Sequence, residues 1–101
     1  MIIIVTRHSG AIEWLKKKGY AGEVQPHVTD DQIAGGNIYI GSLPLQMIST
    51  ILQKGSRFFL LDFPAVSFTQ RGQEMTPEEM DRAGARLIEV KKIEMEPIKP
   101  G

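Results

Sequence analysis

The chain contains no cysteine. That excludes a disulfide framework and any thiolate chemistry. It has two histidines, His8 and His27, and no His/Cys cluster, so a structural zinc site is not expected and no metal is assigned. Neither sign of charge is in excess: 12 Lys and Arg balance 12 Asp and Glu. A neutral chain lacks the basic face that long, nonspecific contact with duplex DNA requires. A small anion is not excluded, because a few local donors and a helix N-terminus suffice to hold one. The apolar stretch at the start, Met1–Val5, is far too short to span a bilayer. It has no basic flank or cleavage site, so no export signal is read and a cytoplasmic location is expected. No G-x-G-x-x-G and no Walker motif occurs, which leaves the usual dinucleotide and nucleoside triphosphate sites without support, and no cofactor is expected.

What is present suits one small soluble domain: 101 residues, 42% of them apolar. Met1 to Thr6 reads as a buried parallel strand, apolar on both faces. A helix opens at Ser9 or Gly10 and runs to about Lys18, with Ala11, Ile12, Trp14 and Leu15 on one side. Gly19 stops it, and Lys16, Lys17 and Lys18 complement its dipole. Glu23 to Val28 is a weaker strand, placed at an edge because of Pro26. Thr29 to Gln32 suggests a capped turn. Asn37 to Ile40 is a third strand, and a helix from Pro44 to about Lys54 puts Leu45, Ile48, Ile51 and Leu52 on one side. Phe58 to Asp62 is a fourth strand. Phe63 to Met75 is a long connection, a length often associated with function or disorder. Thr76-Pro77-Glu78-Glu79 reads as a capping box opening a short helix that ends at Gly84. Arg86 to Met95 is the last strand. Its apolar phase slips between Val90 and Ile93, which suggests a bulge or two short pieces at an edge.

Alternating strands and helices predict a single Rossmann-like α/β domain over residues 1–95, with a flexible tail at 96–101. About five strands form a mostly parallel sheet with helices on both faces. Such folds bind ligands beyond the carboxyl ends of the strands, where strand order reverses. A strand order of 2-1-3-4 would face Thr6–Gly10 across one crevice from Gly41–Pro44.

Two readings of Val5-Thr6-Arg7-His8-Ser9-Gly10 compete. In one, this is a polar turn with Ser9 as a helix cap. In the other, Arg7 supplies a fork of donors for phosphate and His8 transfers a proton near neutral pH. Gly41-Ser42-Leu43-Pro44 is a tight turn, or a wall that a ligand approaches closely at Gly41 while Ser42 donates to it. Trp14 reads more readily as core than as a base-stacking platform. His27 reads as a plain surface or packed histidine. Arg71 is a solvated loop residue, or one that closes over an anion. Glu74, Glu78 and Glu79 are helix-cap chemistry.

VTRHSGAIEWLKKKG at 5–19, IGSLPLQM at 40–47 and KGSRFFLLDFP at 54–64 together resemble a known family. RGQEMTPEEM at 71–80 and GARL at 84–87 complete the match. The chain resembles the small accessory proteins of type III CRISPR systems called Csx-sixteen. The resemblance implies a ring nuclease that linearises cyclic oligoadenylates, notably cyclic tetra-adenylate. Chemistry of that kind is metal-independent: a ribose 2′-OH attacks its own 3′-phosphate and leaves a 2′,3′-cyclic phosphate. On this reading Arg7 and the backbone N–H groups of Ser9 and Gly10 hold the scissile phosphate, and His8 moves the proton. Thr6 belongs to the same site. Ser42 and Gly41, with Leu43 and Pro44, form the opposite wall. Arg71 is a lid contact and Trp14 packs on adenine. The two-fold symmetry open to a four-nucleotide ring implies a homodimer. The alternatives are a protein that binds the ring without cutting it, a small interaction subunit, and a phosphatase or nucleotide hydrolase.

Overall fold

Ile2, Ile3, Ile4 and Val5 are consecutive β-branched residues, stiff at χ1 and suited to a pleated, buried surface. In the computed structural model, which describes residues 1–63 and 75–100, they form strand β1 (Ile2–Val5), an interior strand of a five-stranded sheet. Helix α1 (Ser9–Lys17), β2 (Glu23–Val24), a 3-10 turn (Asp30–Gln32), β3 (Ile38–Gly41), α2 (Leu45–Gln53), β4 (Arg57–Asp62), α3 (Pro77–Arg82) and β5 (Arg86–Val90) follow in order. The strands lie in the order β2-β1-β3-β4-β5. The first four are parallel, and β5 closes the edge antiparallel to β4. The expected α/β architecture and strand order are therefore present.

The period of two along each strand sorts the core into two layers. Ile3, Tyr39 and Phe58 stand in register across β1, β3 and β4. With Val5 they pack against Ile48 and Ile51 of α2 and against Val28 and Ile33. Ile4 and Ile40 point the other way. With Leu61 they pack against Ala11, Trp14 and Leu15 of α1 and Met80 of α3. Helices thus cover both faces.

Helix α1 ends at Gly19, whose φ of +93° is a left-handed conformation that side chains other than glycine rarely adopt. The lysines at this end do more than complement a dipole, because they join α1 to α3. Lys17 pairs with Glu78, and Lys18 Nζ lies 3.1 Å from Asp81 Oδ1. The same Asp81 oxygen accepts from the Trp14 indole N–H at 2.8 Å. Thr76 and Glu79 form the expected capping box at the start of α3.

Several sequence expectations need correction. Strand β2 spans two residues instead of six: Pro26 has no N–H to give a ladder. Strand β5 stops at Val90, so Lys91–Met95 forms neither a bulge nor a second strand piece. Ile93 nevertheless packs partly against the α2 layer, which explains its apolar character without a strand. Leu45 opens α2 but is 63% exposed and does not join Ile48 and Ile51. Among the described residues no helix is long and apolar enough to cross a membrane.

Candidate functional site

Because β1 to β4 run parallel, their carboxyl ends share one edge of the sheet. Strand order reverses between β1 and β3, the place where this architecture opens a crevice. A cleft of about 460 Å³ lies there. That is within the range of about 300–1,000 Å³ common for small-ligand sites. Val5, Thr6, Arg7 and His8 line it from β1, and Ser42 and Leu43 from β3. Leu61 and Phe63 contribute from β4 and its exit, and Pro26 from beyond β2.

The turn after β1 is held by Thr6, whose Oγ1 accepts from the His8 backbone N–H at 3.2 Å. This short i to i+2 bond is a local alternative to extending the strand. It leaves His8 half-buried in extended geometry, φ −89° and ψ 115°, as the N-cap of α1. The cap is thus His8 and not Ser9, and it makes no side-chain cap hydrogen bond. Ser9 is the first helical residue and Gly10 is buried behind it. Across the cleft, Pro44 is the N-cap of α2, also without a side-chain cap bond. Neither helix has an acidic residue in its first turn. Helix α3, away from the cleft, has both a capping box and Glu78 and Glu79 in its first turn. The 3-10 turn has a capping box of Thr29 with Gln32, and carries Asp30 and Asp31. Among the described residues, the two helix starts that border the cleft thus have no N-cap side-chain bond and no acidic residue in the first turn. That arrangement favours an incoming anion.

Arg7 is exposed at the cleft mouth. Its Nη2 is hydrogen-bonded to Nε2 of His27 and stands 3.3 Å from Nδ1. Ser42 Oγ donates to the Leu61 carbonyl at 3.1 Å, so its one proton is committed to the protein. Gly41 lies in register with Val5, and a Cβ there would come within 2.5 Å of the Val5 carbonyl oxygen. Its role is to let β1 and β3 approach where both enter the cleft.

The structure thus gathers Thr6, Arg7, His8, Ser42 and Leu43 around one cavity, with Ser9, Gly10, Gly41 and Pro44 directly behind them in the chain. Trp14 is elsewhere. It is 3% exposed, bonded to Asp81, and meets Phe63 edge-on at 6.2 Å between ring centroids. Phe63, in contrast, lines the cleft. Arg71 and Glu74 lie outside the described residues. Among the described residues no three His, Asp or Glu side chains gather as metal ligands would.

His27 is the residue sequence reasoning passed over. Its signal lies in the strand register. Ile3 pairs with Glu23 and Ile4 with Val24, an offset of 20. The Gln25 N–H continues the ladder to the Ile4 carbonyl. Carried three residues beyond Ile4 and Val24, the same offset sets His27 beside Arg7.

No curated protein and no solved structure matches the chain. A family model does match, over residues 3–93, a span that includes every strand and helix from β1 to β5 except its first residue, Ile2. The chain belongs to the family described as "Putative CRISPR-associated protein (Cas_VVA1548)".

Proposed function

We propose that this protein binds a cyclic oligoadenylate, cyclic tetra-adenylate in the first instance, and linearises it. The observation that carries the reading is the placement of Arg7 and His8 side by side in the cleft. A guanidinium fork suits a phosphodiester, and an imidazole suits proton transfer at neutral pH. The absence of acidic residues from the first turns of α1 and α2 and membership of a CRISPR-associated family support it.

The nucleophile in this reaction is the substrate's own 2′-OH, so the protein needs no serine or cysteine nucleophile. It must hold the 2′-oxygen, the phosphorus and the leaving 5′-oxygen in line. It must also stabilise the charge that grows on the phosphoryl oxygens. Arg7 and the start of α1 take that second task. His8 exchanges the proton. The 2′-O–P bond forms as the P–O5′ bond breaks, and the products carry a 2′,3′-cyclic phosphate and a 5′-OH. Ser42 shapes the wall without donating to the phosphate. A four-nucleotide ring exceeds what one such cleft encloses, and two clefts related by a two-fold axis match its symmetry. The active species is a homodimer.

Substitution of His8 by Ala tests the assignment. Cleavage is expected to drop by about a hundredfold or more while the ring still binds. Unchanged cleavage would remove His8 from the chemistry. If the wild-type protein binds the ring tightly and releases it intact, it sequesters the ring, because that activity needs the same phosphate contacts and no proton transfer.

A further inference from the structure

Attack by a 2′-OH requires two proton movements. One group removes the hydroxyl proton, and another supplies a proton to the departing 5′-oxygen. His8 alone covers one of them. We infer that His27, beside Arg7 at the cleft mouth, is the second proton-transfer residue, acting as the base that takes the 2′-OH proton. This rests on the ring-cleavage reading of the site.

The inference starts from the Arg7–His27 contact. A guanidinium only donates hydrogen bonds. The His27 ring nitrogen that meets Arg7 Nη2 is therefore an acceptor with its lone pair exposed to Arg7, as a base requires. His27 is exposed, Arg7 is its hydrogen-bond partner, and its neighbour Pro26 lines the cleft. Arg7 and His27 lie beyond the last ladder bond, Gln25 N–H to the Ile4 carbonyl, and keep the ladder's offset of 20.

A phosphate is a stronger partner for a guanidinium than a neutral imidazole, because the bond is charge-assisted on both sides. When a phosphodiester enters, Arg7 turns to it and the His27 lone pair is released beside the captured phosphate. The base is therefore uncovered by the same event that positions the substrate. The proton passes from the 2′-oxygen to His27. The 2′-oxygen bonds to phosphorus, the P–O5′ electron pair leaves with the 5′-oxygen, and His8 in its protonated form supplies that oxygen's proton. The two histidines end in exchanged protonation states and reset through water.

The test uses the full chain with radiolabelled cyclic tetra-adenylate, in three forms: wild type, His27→Ala and His27→Gln. Because His27 is exposed, both variants are expected to melt like the wild type. The predicted result is at least about a hundredfold slower cleavage by both variants, with ring affinity within about threefold of wild type. Added imidazole should restore His27→Ala, since a free base can enter the space the side chain leaves. Cleavage by His27→Ala within threefold of wild type overturns the inference and leaves the ring-cleavage reading intact. A loss that imidazole does not repair also overturns it and makes His27 a strut for Arg7. Failure of the wild-type protein to cleave the ring overturns the underlying reading, and this inference with it.

Discussion

Arg7 and Ser42 face each other across the same cleft, yet they are expected to behave differently when removed. Arg7 is held by the His27 ring, a weaker partner for a guanidinium than a phosphate is. Arg7→Ala should raise the dissociation constant for cyclic tetra-adenylate by about tenfold or more, and Arg7→Lys should recover only part of it, because the planar fork is lost. Ser42 already donates its hydroxyl hydrogen bond to the Leu61 carbonyl. Ser42→Ala should leave binding within about threefold of wild type, measured in the same titration. Arg7 and His8 were legible in the sequence because polar, chemically capable residues followed a fully apolar strand without a spacer. His27 was not legible. It follows Pro26 after a strand of two residues, and only the pairing register brings it to Arg7. Register is a property of two segments together, and a one-residue slip would turn the side chain away. Trp14 on its apolar helix face read more readily as core than as a stacking platform, and it is buried in the α1 layer; the adenine contact came only from the family resemblance.

At the scale of elements, two joins matter: β1 against β3, which borders the cleft, and α1 against α3 on one face of the sheet. Gly41 allows the first. In Gly41→Ala the new methyl would meet the Val5 carbonyl oxygen, and the strands would have to separate. A loss of about 1–3 kcal/mol in unfolding free energy is expected by denaturant titration. The second join is electrostatic. The Trp14 indole N–H and then Lys18 hold the Asp81 carboxyl below its ordinary range, and Lys17 does the same for Glu78. Carboxyls lowered in the folded state contribute stability above their unfolded values, near 4. That contribution is lost as pH falls through and below this range. Melting temperature should therefore fall between pH 6 and pH 3, and Asp81→Asn should show a shallower fall than wild type. Equal slopes would mean that the seam does not report on Asp81. These elements were largely readable, because glycine stops, the Thr76 capping box and the apolar period are local signals. The end of β5 was not. Ile93 is apolar because it packs on the α2 layer, and local patterning cannot distinguish that from a strand continuing past a bulge.

For the whole molecule, two features bear on function together. The chain is neutral overall, so the proposed binding of an anionic ring would rest on the cleft and not on a long-range field. The ring is larger than a single cleft of about 460 Å³. Light scattering is expected to give twice the 11.3 kDa chain mass, and one ring bound per two chains by calorimetry. A monomer binding one ring per chain would remove the two-fold arrangement. The central claim is tested most directly by incubating the purified protein with cyclic tetra-adenylate in excess EDTA and resolving the products by chromatography and mass spectrometry. Linear adenylates ending in 2′,3′-cyclic phosphate are the predicted result; recovery of the intact ring would contradict the account.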